Sequence, residues 1–115
     1  MEDLFIEILK TAFGFPVKRQ GSFLKDEKYP DHFFTFWNNS ADGEGYYSNE
    51  ETAIMWNYNL YFYSIDPLKV NSVLLEAKRH LKAAGWIVTG AGYDVMSDEP
   101  SHTGRGITII YRQQP

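Results

Sequence analysis

The chain has 115 residues, 43% of them hydrophobic and 23% charged, with no cysteine. It therefore reads as one globular domain spanning 1–115, with no disulfide framework, thiolate nucleophile or cysteine-based zinc site. A formal charge of −4 with 11 scattered basic residues argues against direct nucleic-acid recognition, which needs clustered Lys and Arg.

No run approaches 18 apolar residues, and no basic leader precedes an apolar core, so the expectation is a soluble intracellular protein with no membrane partner.

Asp3 to Phe13 carries Leu4, Phe5, Ile8, Leu9, Ala12 and Phe13, the stripe of an amphipathic helix. Acids at Glu2, Asp3 and Glu7 favour its positive end, and Gly14 and Pro16 end it. A short strand at most is expected around Phe15–Lys18, followed by an exposed loop to Asp31. His32 to Asn38 is β-branched and aromatic without a breaker, hence a strand. Its two aromatic faces suggest a central position, or a second face that meets a partner. Asn39 to Thr52 has loop composition, and Tyr46 and Tyr47 in its middle either fold back on the sheet or face a neighbouring subunit.

Ala53 to Ser64, AIMWNYNLYFYS, organises the rest. With a period of two, Ile54, Trp56, Tyr58, Leu60 and Phe62 form one apolar face; Asn57, Asn59, Tyr61 and Tyr63 lie on a mixed one. Asp66 is a good N-cap and Pro67 suits the first helical turn, so Leu68 to Ala84 is a helix. Val70, Val73, Leu74, Ala77, Leu81 and Ala84 are its buried stripe, and Gly85 stops it. Trp86 to Val95 is a strand that Gly90 and Gly92 kink or bulge. Met96 to Gly104 is a polar loop, and Arg105 to Arg112 is the last strand. The expected fold is α+β, a two-layer sandwich in the order α-β-β-α-β-β. Its antiparallel sheet of about four strands carries two helices on one face.

Candidate chemistry is sparse. The loop Ser97–Arg105 gathers Asp98, Glu99, Ser101, His102 and Arg105, but a hydrolytic triad draws its members from separate elements. His32, His80 and His102 lack metal-ligand spacing, so no metal site and no cofactor is expected. Gly90-Ala91-Gly92 begins like a dinucleotide fingerprint but lacks the third glycine and the helix that must follow. The reading is of a protein that is not an enzyme.

Taken together, Phe33-Phe34-Thr35-Phe36-Trp37, the Gly-Tyr-Tyr-Ser-Asn-Glu loop, Trp56 to Ser64, Asp66-Pro67, Leu81 to Trp86 and Gly106 to Tyr111 resemble the tail terminator, or tail-to-head joining, proteins of long-tailed bacteriophages and prophages. The resemblance covers nearly the whole chain and rests on pattern and length. It implies a structural protein that forms a ring, typically of six copies, capping the tail tube. Its partners would be itself, the tail tube protein and the head-completion protein, first in the bacterial host cytoplasm and then in the virion tail. The family fixes no contact residues by motif. From the residues themselves, Tyr46, Tyr47, Asn57, Asn59, Tyr61, Tyr63, Asp98, Glu99, His102 and Arg105 are the interface candidates, since a closed ring needs two unlike patches per subunit. A different neck or tail component is one alternative. A soluble ligand-binding or adaptor domain with a cavity lined by Phe34, Phe36, Trp56 and Tyr58 is another.

Overall fold

A computed structural model describes residues 2–19, 30–44, 53–97 and 101–113. Its elements in chain order are α1 (Glu2–Phe13), β1 (Val17–Arg19), β2 (His32–Glu44), β3 (Ala53–Ser64), α2 (Pro67–Ala83), β4 (Ile87–Val88), β5 (Tyr93–Val95) and β6 (Thr103–Gln113). The sheet runs β1-β2-β3-β6-β4, and β5 pairs with β6 beyond β4. The fold is thus mixed α+β with two helices and a six-stranded sheet.

Three expectations need correction. The sheet has six described strands rather than four, and it is not wholly antiparallel, because β1 pairs parallel with β2 through Val17↔Phe34 and Arg19↔Phe36. A parallel pairing joins segments that no tight turn connects, so local sequence carries no sign of it. The loop expected from Asn39 is strand as far as Glu44, which pairs with Ala53. The polar run Asn38 to Glu44 has poor β-propensity, but β3 offers a ladder partner to every residue of it except Asn39, and pairing outweighs propensity. A bulge between Asn38 and Ser40 absorbs one residue. Trp86 to Val95 is two short strands, because Gly90 and Gly92 both adopt positive φ (77° and 91°) and turn the chain between them.

The helices follow their sequence signals closely. Gly14 and Gly85 are left-handed at the helix ends (φ 73° and 97°). The Asp66 side chain accepts from the Leu68 N–H at 3.0 Å, satisfying an otherwise orphaned donor of the first turn. Val70, Leu74, Ala77 and Leu81 are buried as expected, whereas Ala84 is exposed. In α1 only Phe5 and Leu9 are fully buried, and Leu4 of the expected stripe faces water.

Both helices pack on one face of the sheet. Phe5 sits at the centre of that core, its ring edge-on to Phe36 (5.0 Å), Tyr58 (5.1 Å) and Trp86 (5.5 Å). Phe34, Phe36 and Tyr58, offered by the sequence as a cavity lining, are instead buried in this cluster, and Trp56 packs against its margin. The Ser64 hydroxyl accepts from the Asp66 N–H and shares a hydrogen bond with His32 Nδ1 at 2.8 Å, tying β2 and β3 to the start of α2.

Candidate functional site

The opposite face of the sheet has no described helix over it, and its centre is built from side chains on four neighbouring strands. Alternation places Thr35 and Trp37 of β2, Asn57, Asn59 and Tyr61 of β3, Gly106 and Thr108 of β6, and Tyr93 of β5 on this face. Trp37 and Tyr93 remain exposed there, at 46% and 41%.

Two devices flatten the surface. The first is an amide ladder. Asn39, freed by the bulge, donates from Nδ2 to Asn59 Oδ1 (2.7 Å) and Asn57 Oδ1 (3.2 Å), and Asn59 Nδ2 donates back to Asn39 Oδ1 (3.1 Å). Thr108 Oγ1 donates to Asn59 Oδ1 at 3.3 Å, carrying the ladder onto β6. Reciprocal side-chain bonds of this kind fix rotamers across strands before anything binds.

The second device is glycine beneath aromatic rings. A Cβ at Gly106 would lie 2.6 Å from Tyr61 Cδ1 and 2.9 Å from Tyr93 Cε2, and one at Gly104 would lie 2.6 Å from Tyr63 Cε1. The rings of Tyr61 and Tyr63 therefore lie down over β6, where a side chain would lift them. Tyr61 then meets Trp37 (centroids 6.5 Å) and Tyr93 (6.4 Å) edge-on. The strand order puts these two rings on opposite sides of it. Burial pushes the Tyr93 phenol above its ordinary value, reinforced by the nearby Tyr61; a hydrogen bond with Thr108 pulls the other way.

The sequence-derived candidates divide. Asn57, Asn59 and Tyr61 come together at the centre of this face. Tyr63 does not join them at the surface: it is 8% exposed, stacked on Phe33 at 5.1 Å. His102 is half-buried. Its Nε2–H donates to the Pro30 carbonyl at 2.8 Å and its ring meets Phe33 edge-on, so it braces the chain beside β2. Arg105, expected in or beside a loop, lies within β6. Its guanidinium binds Asp94 at 2.7 Å and the carbonyls of Ala91 and Gly92, holding the β4–β5 turn against β6. Tyr46, Tyr47, Asp98 and Glu99 lie outside the described residues.

Trp37, Asn39, Tyr93 and Thr108 are the members that sequence reasoning left out of the site. Alternation along β2 sets Trp37 on the same face as Phe33 and Thr35. The further signal was the i, i+2 glycine pair in Thr103-Gly104-Arg105-Gly106, a gap that cross-strand rings can fill.

For catalysis the face offers amides, phenols and an indole. The serine–histidine contacts lie elsewhere: Ser64 beside His32 is fully buried, and Ser101 is 3.0 Å from the adjacent His102. Among the described residues no group of three His, Cys, Asp or Glu side chains is placed to hold a metal ion. Nor is any described helix long and apolar enough to cross a membrane. In comparisons with known proteins, no family model and no curated protein matches this chain.

Proposed function

We propose that this chain is a structural tail-assembly protein of a long-tailed bacteriophage or prophage, a tail terminator that closes into a ring on the tail tube. It works by protein–protein contact and carries out no reaction. The observation that supports this reading is the sheet face over which no described helix lies, with Trp37 and Tyr93 exposed on either side of a flattened Tyr61 and an amide ladder alongside. Exposed indole and phenol rings are the side chains that most often anchor protein interfaces. The Asn39–Asn59 pair holds its geometry beforehand, which lowers the ordering cost of association.

In this reading the sheet face meets the tail tube or the head-completion protein, and separate, unlike patches join subunit to subunit around the ring. The protein would act in the host cytoplasm during assembly and remain in the virion tail.

Light scattering behind a sizing column, over a range of concentrations and with tail-tube ends supplied, tests the ring. The expected particle has about six times the 13.3 kDa mass of the chain. A mass of one chain under every condition, tube ends included, contradicts the proposal.

A further inference from the structure

Resting on the ring reading, we infer that the outer face of α2 is the subunit–subunit contact. Its occupant is the acidic end of the β2–β3 hairpin of a second copy.

The outer face of α2 is unusual for a solvated helix. Leu68, Ser72, Leu75, Arg79 and Lys82 recur at i, i+4, i+7, i+11 and i+14, a single stripe opposite the buried Val70, Leu74, Ala77 and Leu81. Leu68 is 84% exposed and Leu75 43%, so the stripe shows two leucines to solvent. Around them stand Lys69, Lys78, Arg79 and Lys82 against a single acid, Glu76. Arg79 pairs with Glu76 at 2.9 Å and Lys78 donates to the Gly90 carbonyl at 2.6 Å. Lys69 and Lys82 have no carboxylate partner among the described residues. The result is an apolar strip with a net positive border in a chain of net charge −4.

The hairpin supplies the converse. Residues 42–52 carry Asp42, Glu44, Glu50 and Glu51 with no lysine or arginine, and Tyr46 and Tyr47 stand among them. The described part of that segment continues β2 to Glu44, paired with Ala53 well beyond the bulge. By sequence this segment holds four carboxylates and two phenols, against four cations and two leucines on the helix, a match in both sign and hydrophobicity. These are two unlike patches on one chain, so their contact is head-to-tail, the only kind that can close a ring with one interface type. Complementary borders also suppress wrong registers and speed encounter.

Charge reversal with mixing tests this. Lys69→Glu with Lys82→Glu makes the helix face acidic, and Asp42→Lys, Glu44→Lys, Glu50→Lys and Glu51→Lys together make the hairpin end basic. Each variant alone is expected to lose association by roughly tenfold or more, and wild-type association is expected to weaken as salt rises. A one-to-one mixture of the two variants restores the wild-type scattering mass, because every hairpin then meets a helix of opposite sign. That recovery also proves both variants folded. A mixture that stays monomeric, or reversals that leave assembly unchanged, overturn the inference. A wild-type oligomer indifferent to both reversals removes this contact yet leaves the ring reading standing. A wild-type chain that neither associates nor arrests tail-tube growth ends both.

Discussion

Replacing Gly106 by alanine reverses the effect normally expected of that change. At a strand position with ordinary backbone angles and open space, Gly→Ala stabilises by about 0.5–1 kcal/mol, because alanine has less unfolded-state freedom to lose. At Gly106 the new methyl would stand 2.6 Å from Tyr61 Cδ1, 2.9 Å from Tyr61 Cε1 and 2.9 Å from Tyr93 Cε2. Both rings must lift from the sheet, and overpacking of this kind costs about 1–3 kcal/mol. Net destabilisation is therefore expected, measured as a lower urea midpoint at unchanged slope. The ring can be isolated as the cause in a double-mutant cycle. With Tyr61→Ala as background, Gly106→Ala should lose at least about 1 kcal/mol of its penalty, and only the Tyr93 contact remains. A Gly106→Ala protein as stable as the parent, or a coupling near zero, would refute the flattened ring.

Other outcomes follow from the core and from titration. Phe5→Ala removes the ring that three aromatic partners contact, and should cost about 3–5 kcal/mol in urea unfolding. Burial raises the Tyr58 phenol above its ordinary value, and a hydrogen bond to Asn38 offsets part of the rise. A raised folded pKa means that its stabilisation is complete below the unfolded value near 10 and is lost as pH climbs through the folded value. Stability should accordingly fall in alkaline solution above about pH 10, less steeply in Tyr58→Phe; equal slopes for both proteins would count against this.

The helices were legible in the sequence because each carries its own signals: Asp66-Pro67 before α2, glycines after both, and apolar stripes of helical period. β3 was legible by alternation alone. What the sequence hid was non-local. Asn39 to Glu44 reads as loop in isolation, and Ser40 to Glu44 become strand only because Ala53 to Asn57 pair with them. The parallel β1 pairing depends on where α1 delivers the chain, which no local pattern states. The candidate face was half legible, since alternation grouped Asn57, Asn59 and Tyr61. Tyr63 shares their face but is capped by Phe33, a burial that period-two counting cannot distinguish from exposure. Tyr93 came from a short strand whose partner was unknown, and Asn39 reached the ladder through a bulge.

The central claim is that the sheet face bearing Trp37 and Tyr93 docks on the tail. Growth of tail tubes from purified tube protein, followed by electron microscopy, tests it with the parent chain and with Trp37→Ala/Tyr93→Ala. Both exposed rings lie outside the main core, so the variant should keep its fold by circular dichroism. The parent chain is expected to halt elongation and leave short, capped tubes, and the variant to let them run on. Tubes of equal length with the parent chain, with the variant and with no addition would contradict the claim.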